Sequence, residues 1–364
     1  AFMKQHTISA AQFFGMMFVS RVTLTISLNA QYAAGENLLD GILSYGLAMV
    51  LGFFIALPLW SFQRRYPGQS VGELAANCLG RTGGRVVSLG YILYFLLINA
   101  SSLALFQIFL LDTVHPDFSS WLIVAALTAV AVYGAWQGLE ALARCGACVL
   151  VILLLGSGLV FALVSQRFSG ENLQPMLQGG AGPLVRGTAL FLSRTSLFAD
   201  MAVLLPFVQG KKRLGFRLWS GGTFLFVGGL LLLLAGCLGP YAYTQNFPVY
   251  ALASITEIHA LQRLDPVFVG IWMMGLLIKV GADLYACRVC WAQLFPKSRS
   301  QAVPVVCLGA LLVVLAAGGA YLLPLQRVLL DTGFWLGMTG LFGLGVPLAL
   351  LFAGWVRHRK EEGP

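Results

Sequence analysis

The sequence predicts an all-α integral membrane protein of about ten transmembrane helices, arranged as two five-helix halves inverted relative to each other. Three observations carry this. Of 364 residues, 58% are hydrophobic and only 10% charged, against roughly 25% charged in an ordinary soluble domain. The apolar residues fall in runs long enough to cross a bilayer, which takes about 20 residues per crossing. A motif containing an arginine occurs midway through both the first and the sixth run.

The runs are 8–31, 38–62, 85–111, 119–136, 141–165, 184–208, 216–238, 266–292, 303–323 and 333–356, separated by Gly, Pro or charge clusters. Ten crossings take about 200 residues and leave only termini and short connections, so no separate soluble domain is expected. The first run is too long for the apolar core of a signal peptide, and no small-residue cleavage site closes it. It is expected to remain as the first span.

The formal charge is +9. Its basic residues sit in short blocks between apolar runs, such as Arg64-Arg65, Lys211-Lys212-Arg213 and Arg357-His358-Arg359-Lys360. That placement is typical of cytoplasmic loops and argues for a lipid bilayer, not nucleic acid, as the partner. With alternating spans, 16 of the 23 Lys and Arg fall on the side of the termini. Four, Arg167, Arg186, Arg263 and Arg327, fall on the other side, and three, Arg21, Arg194 and Lys279, lie at membrane depth. Both termini are therefore expected in the cytoplasm.

The internal repeat pairs Phe18-Val19-Ser20-Arg21-Val22-Thr23-Leu24 with Phe191-Leu192-Ser193-Arg194-Thr195-Ser196-Leu197. Leu-rich chains produce chance matches, but an arginine at the bilayer centre is costly and rare, and both copies carry one. A repeat of five spans forces its second copy to enter from the opposite side. The expected division is a first repeat over 1–165, an extracytoplasmic connection over 166–183, a second repeat over 184–356 and a cytoplasmic tail over 357–364. Stretches 70–79 and 249–261 read as amphipathic surface helices joining the second and third spans of each half.

Inverted five-helix repeats place a ligand at the midplane, where the first helix of each half is broken. The polar runs Ser20-Arg21-Val22-Thr23-Leu24-Thr25 and Ser193-Arg194-Thr195-Ser196 are the natural break points. Arg21 and Arg194 offer planar donor forks for a carboxylate, or for a fixed acidic partner. Asp200, six residues after Arg194, would pair with an arginine or receive a ligand ammonium. Lys279 and Asp283, one helical turn apart, would neutralise each other. A lysine in an apolar site also exchanges its proton readily, so Lys279 is a candidate for ion coupling. Structural pairing or snorkelling to a helix end is the competing reading for each of these charges. Asn99, Ser101 and Ser102 are weaker candidates that helix–helix hydrogen bonding would also explain.

No soluble-enzyme signature is present. The four histidines, His6, His115, His259 and His358, lie at termini or in loops without metal-ligand spacing. The glycine run at 179–182 lacks the lysine and the strand-to-helix setting of a phosphate loop. Two Cys-x-x-Cys pairs, Cys145/Cys148 and Cys287/Cys290, would bind zinc only if the fifth and eighth spans bring them together; packing on helix faces is the plainer reading. Neither a disulfide nor a cofactor is expected, and the protein is not read as an enzyme.

Several segments resemble one family. They are Lys4-Gln5-His6-Thr7-Ile8-Ser9-Ala10-Ala11-Gln12-Phe13, Arg65-Tyr66-Pro67-Gly68-Gln69-Ser70 running on to Gly80, and Tyr133-Gly134-Ala135-Trp136-Gln137-Gly138-Leu139-Glu140-Ala141-Leu142-Ala143-Arg144. Asn172-Leu173-Gln174-Pro175, Pro206-Phe207 and the stretch 272–295 continue the similarity, which covers nearly the whole chain. In order and spacing they resemble the spore germination permeases, the B subunits of nutrient germinant receptors in endospore-forming bacteria. The resemblance implies the amino acid–polyamine–organocation superfamily, the LeuT-type fold, a place in the spore inner membrane, and A-type and C-type partner subunits. It implies binding of a small nutrient, commonly an amino acid, and signalling to those partners. Lys279 and the polar segments of the first and sixth spans carry over by position, whereas arginine at 21 and 194 departs from the usual small or neutral residues.

The expected ligand site lies between the first, third, sixth and eighth spans. A small amino acid there would turn its carboxylate to free N–H groups near Ser20, Arg21, Val22 and Thr23. Its ammonium would face the sixth span near Ser193, Arg194, Thr195 and Asp200, with Asn99 close by and Lys279 and Asp283 governing closure. Receptor, proton-coupled amino acid permease and structural subunit with an empty site all remain open, because one fold serves many functions.

Overall fold

The computed structural model describes residues 7–27, 37–113, 119–173, 175–255, 265–296 and 302–361. Among the described residues, regular structure is helical apart from β1 (Ile8–Ser9) and β2 (Val208–Gln209), which pair in parallel. A reciprocal cap starts α1 (Ala10–Ile26): the Gln12 backbone N–H donates to Ser9 Oγ at 3.1 Å, and the Ser9 N–H to Gln12 Oε1 at 3.0 Å. The β1–β2 pairing ties this start to the chain leaving the sixth span.

α2 (Leu38–Arg65) opens on Asn37, whose side chain accepts from the Leu39 N–H at 3.0 Å. α3 (Val71–Thr113) is bent at Gly80, where φ is +79°. A side chain would strain that backbone, and the glycine separates a short leading helix over 71–79 from the third span. α4 (Ser120–Gln137) passes to α5 (Leu139–Val164) through Gly138 alone, at φ +113°. The second half comprises α6 (Ala181–Ser193), α7 (Leu197–Leu204), α8 (Lys212–Leu233), α9 (Pro248–Ser254), α10 (Asp265–Leu294), α11 (Ala302–Tyr321), α12 (Leu323–Leu330), α13 (Thr332–Gly340) and α14 (Val346–Glu361). A π-helical turn, Leu341–Gly345, joins α13 to α14 into one crossing.

Among the described residues nine helical stretches are long and apolar enough to cross a bilayer, and α1, with 17 residues, is a tenth apolar helix. α6 and α7 together make one of the nine. The short helices expected at 70–79 and 249–261 are present as the leading part of α3 and as α9; residues 256–261 lie outside the described residues.

Burial sorts the crossings by role. In α3 and in α6–α7, 83% of the apolar window lies inside the protein, against 17% in α5. α5 therefore faces outward as a lipid-exposed helix does, while α3, α6 and α7 form the interior. Packing follows one exchange rule: α1 packs on α5, α8 and α10, and the α6–α7 crossing packs on α13, α2 and α3. Exchanging α1 with α6–α7, α2 with α8, α3 with α10, α4 with α11 and α5 with α13–α14 maps the larger contacts onto one another, although α7 on α10 and α4 on α5 lack counterparts of comparable size among the described residues. That is the pairwise signature of an internal pseudo-two-fold.

At the centre, α1 and α10 touch where small residues allow close approach. A Cβ on Gly275 would lie 2.0 Å from Thr23 Oγ1, whereas one on Gly270 would meet nothing within 4 Å. Gly275→Val is expected to lower thermal stability by about 1–3 kcal/mol through overpacking, and Gly270→Val to leave it nearly unchanged. Thermal unfolding of the two variants in detergent checks this pair.

Candidate functional site

The sixth crossing breaks in mid-membrane. α6 ends at Ser193, Arg194 leaves the helical region with φ −100° and ψ 68°, and α7 resumes at Leu197. A break frees backbone carbonyls that no water can reach, so side chains must satisfy them. Arg21 of α1 donates to the carbonyls of Phe191 at 2.8 Å and of Arg194 at 2.9 Å, and its Nε donates to the Tyr45 hydroxyl at 3.1 Å. Thr339 of α13 donates to the Ser193 carbonyl at 3.1 Å, and Tyr94 of α3 to that of Thr195 at 2.8 Å. Four carbonyls are thus held from three other helices.

Arg194 makes a second bracket of this kind. Its Nη2 donates to the Leu330 carbonyl at the end of α12, at 2.9 Å, and its Nη1 to Ser101 Oγ at 3.4 Å. Ser101 and Trp335 both donate to the adjacent Leu329 carbonyl, at 2.6 and 2.7 Å. Leu330 also lines a cavity of about 730 Å³ bounded by Asp112, Asn246, Gln326, Arg327 and Asp331. This cavity lies at the end of the bundle where α3 and α12 finish. At the opposite end the helices are tied together: Gln293 donates to Ser70 and accepts from Ser88 at 2.9 Å, and Arg288 donates to the Ala135 and Trp136 carbonyls at 3.1 and 2.9 Å.

Below the break lies a buried ionic cluster. Lys279 Nζ donates to Asp283 Oδ2 at 3.0 Å and to Asn99 Oδ1 at 2.8 Å. Asp283 Oδ1 accepts from the Ser196 hydroxyl at 3.3 Å, which joins the cluster to the start of α7. Asp200, on the first turn of α7, is fully buried, and although Ser196, Asp283 and Lys279 lie close enough to act on it, no hydrogen bond of good geometry reaches either carboxyl oxygen. A buried acceptor left unsatisfied costs about 1–3 kcal/mol, and more when charged.

The structure gathers Ser193, Arg194, Thr195, Asp200, Asn99, Lys279 and Asp283 around the break. It corrects the sequence expectation for the first span: α1 runs unbroken through Ser20, Arg21, Val22 and Thr23. The reason is local. Thr23 Oγ1 donates to the Val19 carbonyl at 2.8 Å and Thr25 Oγ1 to that of Arg21 at 3.0 Å, so the polar run is satisfied within the helix and forces no break. Free helix N–H groups for a ligand carboxylate are therefore absent from 20–25. Cys145 and Cys148 are exposed on α5, Cys287 and Cys290 are buried in α10, and the described residues contain no group of three metal-ligating side chains. The four thiols do not converge.

Tyr45, Tyr94 and Thr339 were not legible as site residues. The available signal was weak: a tyrosine inside an apolar span must find a partner for its hydroxyl.

A family model described as "Spore germination protein" matches residues 7–317. The chain belongs to that family. Similar to the chain are spore germination protein KB of Bacillus subtilis (strain 168), 25% identical over 99% of the chain and 98% of the relative, and spore germination protein YndE of the same organism, 25% identical over 82% of each. A solved structure titled as the substrate-bound outward-open state of a Na+-coupled sialic acid symporter aligns with TM-score 0.67 over 96% of this chain and 81% of that one, at 11% identity. The likeness shows the fold, that of the LeuT type.

Proposed function

We propose that this chain is the membrane subunit of a spore germinant receptor that binds a small nutrient, an amino acid, at the α6–α7 break and signals germination. One observation carries the reading: Asp200 is a buried carboxylate without a hydrogen-bond partner at a chain break. An ammonium group supplies what it lacks, and Arg194, whose Nη2 holds the Leu330 carbonyl at the wall of the 730 Å³ cavity, would have to turn from that carbonyl to meet the ligand carboxylate. The ammonium would act on Lys279 and Asp283 through their shared cluster. Those two residues link α3, α10 and α7, so occupancy would bias the packing of all three. A-type and C-type subunits in the spore inner membrane would read that change, and both termini would face the cytoplasm.

Sustained proton-coupled amino acid transport is the second reading. It is favoured by a cavity of about 730 Å³ at one end of the bundle and, at the other, a cavity of about 320 Å³ beside the Ser70–Gln293–Ser88 ties, an inequality compatible with alternating access. Purified protein in lipid vesicles, offered labelled amino acids, separates the readings. The receptor reading expects saturable binding without concentrative flux, the permease reading expects flux driven by a proton gradient, and absence of any binding contradicts both.

A further inference from the structure

Two carboxyl groups and one ammonium share the cluster below the break. Asp200 and Lys279 are 0% exposed and Asp283 is 1% exposed. Fully ionised, the three side chains carry one net negative charge away from bulk solvent, a costly state. The charged groups that act on Asp200 are Asp283 and Lys279 of α10. Tyr94 of α3 and Cys287 of α10 also face the two carboxyl groups. The guanidinium groups of Arg21 and Arg194 are turned to backbone carbonyls.

The two carboxyl groups are not equivalent. Asp283 accepts from Lys279 and Ser196, as a carboxylate should. No hydrogen bond of good geometry reaches either Asp200 oxygen, although Ser196 and Asp283 stand beside it. An ionised carboxylate is an acceptor only, whereas a carboxylic acid brings its own donor, and the neighbouring Asp283 is an acceptor for it. We propose that Asp200 and Asp283 hold one exchangeable proton between them, carried on Asp200, so that the cluster is a proton-binding site. The proton brings the cluster to neutrality with Asp283 and Lys279 still paired, and an arriving ligand ammonium would take the proton's place at Asp200. A sodium ion would need a shell of oxygen ligands. Here the Lys279 ammonium already holds Asp283 Oδ2 and Asn99 Oδ1, two of the oxygens such a shell would use.

The inference deepens the reading of the break as the ligand site, but its test needs no ligand, so the two fail separately. Infrared difference spectra of the full chain in lipid, stepped between about pH 4 and pH 9, are expected to contain a protonated-carboxyl band. Asp200→Asn is expected to remove it, Asp200→Glu to keep and shift it, and sodium chloride at constant pH to leave it in place. If Asp200→Asn does not fold, the Asp200→Glu shift decides. The proposal is overturned if no band occurs at any pH in that range. It is also overturned if the band is unmoved by Asp200→Glu, if it survives Asp200→Asn, or if sodium abolishes it at fixed pH.

Discussion

Lys279→Ala is expected to yield little folded protein. The lysine is fully buried and donates to both Asn99 and Asp283. Its removal leaves two carboxyl groups in one dry cluster with no cation among their partners, and breaking a buried pair from one side costs about 3–5 kcal/mol. Native proteins have only about 5–15 kcal/mol in hand. Lys279→Ala combined with Asp283→Asn removes both halves of the pair and is expected to recover most of the folded yield, because a neutral replacement avoids the orphaned charge. Lys279→Arg keeps the charge but not the compact ammonium that fits between Asn99 and Asp283, so it should fold better than the alanine variant while signalling poorly. Size-exclusion profiles and thermal unfolding of the three variants check the ordering. Equal stability of Lys279→Ala and wild type would remove the structural role assigned to the cluster.

Arg21→Met is the second large effect. The arginine supplies donors to the Phe191 and Arg194 carbonyls and to Tyr45. Without them the carbonyls at the end of α6 are buried and unmet, at about 1–3 kcal/mol each. The expected total is about 2–6 kcal/mol, enough to loosen the break as well as to lower stability. Arg21→Lys should lie between, since one ammonium cannot span two carbonyls as a planar fork does. The exposed Arg64 is the control, and Arg64→Met should change stability by no more than about 0.5 kcal/mol. Thermal unfolding in detergent measures all three.

Much of the fold is legible in composition because lipid leaves the chain few choices: a backbone that must satisfy itself has to be helical wherever the runs are long and apolar. The rare membrane-depth charges Arg21, Arg194, Lys279 and Asp283 were legible for the same reason. Their partners were not. Arg21 and Arg194 look like a matched pair for a ligand anion, yet each is aimed at backbone carbonyls of another helix, and nothing in a linear pattern says which helix end will need a donor. The continuity of α1 escaped because Ser and Thr serve equally as break formers and as hydroxyls bonded back to their own helix. Asp200 stood out as a charge, but only the fold reveals that its oxygens lack partners.

Thermal stabilisation by the common amino acids, measured on wild type and on Asp200→Asn in lipid, tests the central claim most directly. A ligand that binds only the folded state raises apparent stability in proportion to its occupancy. We expect at least one amino acid to stabilise wild type and to lose that effect in Asp200→Asn. Stabilisation of equal size in both proteins, or by no amino acid in wild type, would contradict a nutrient site at Asp200.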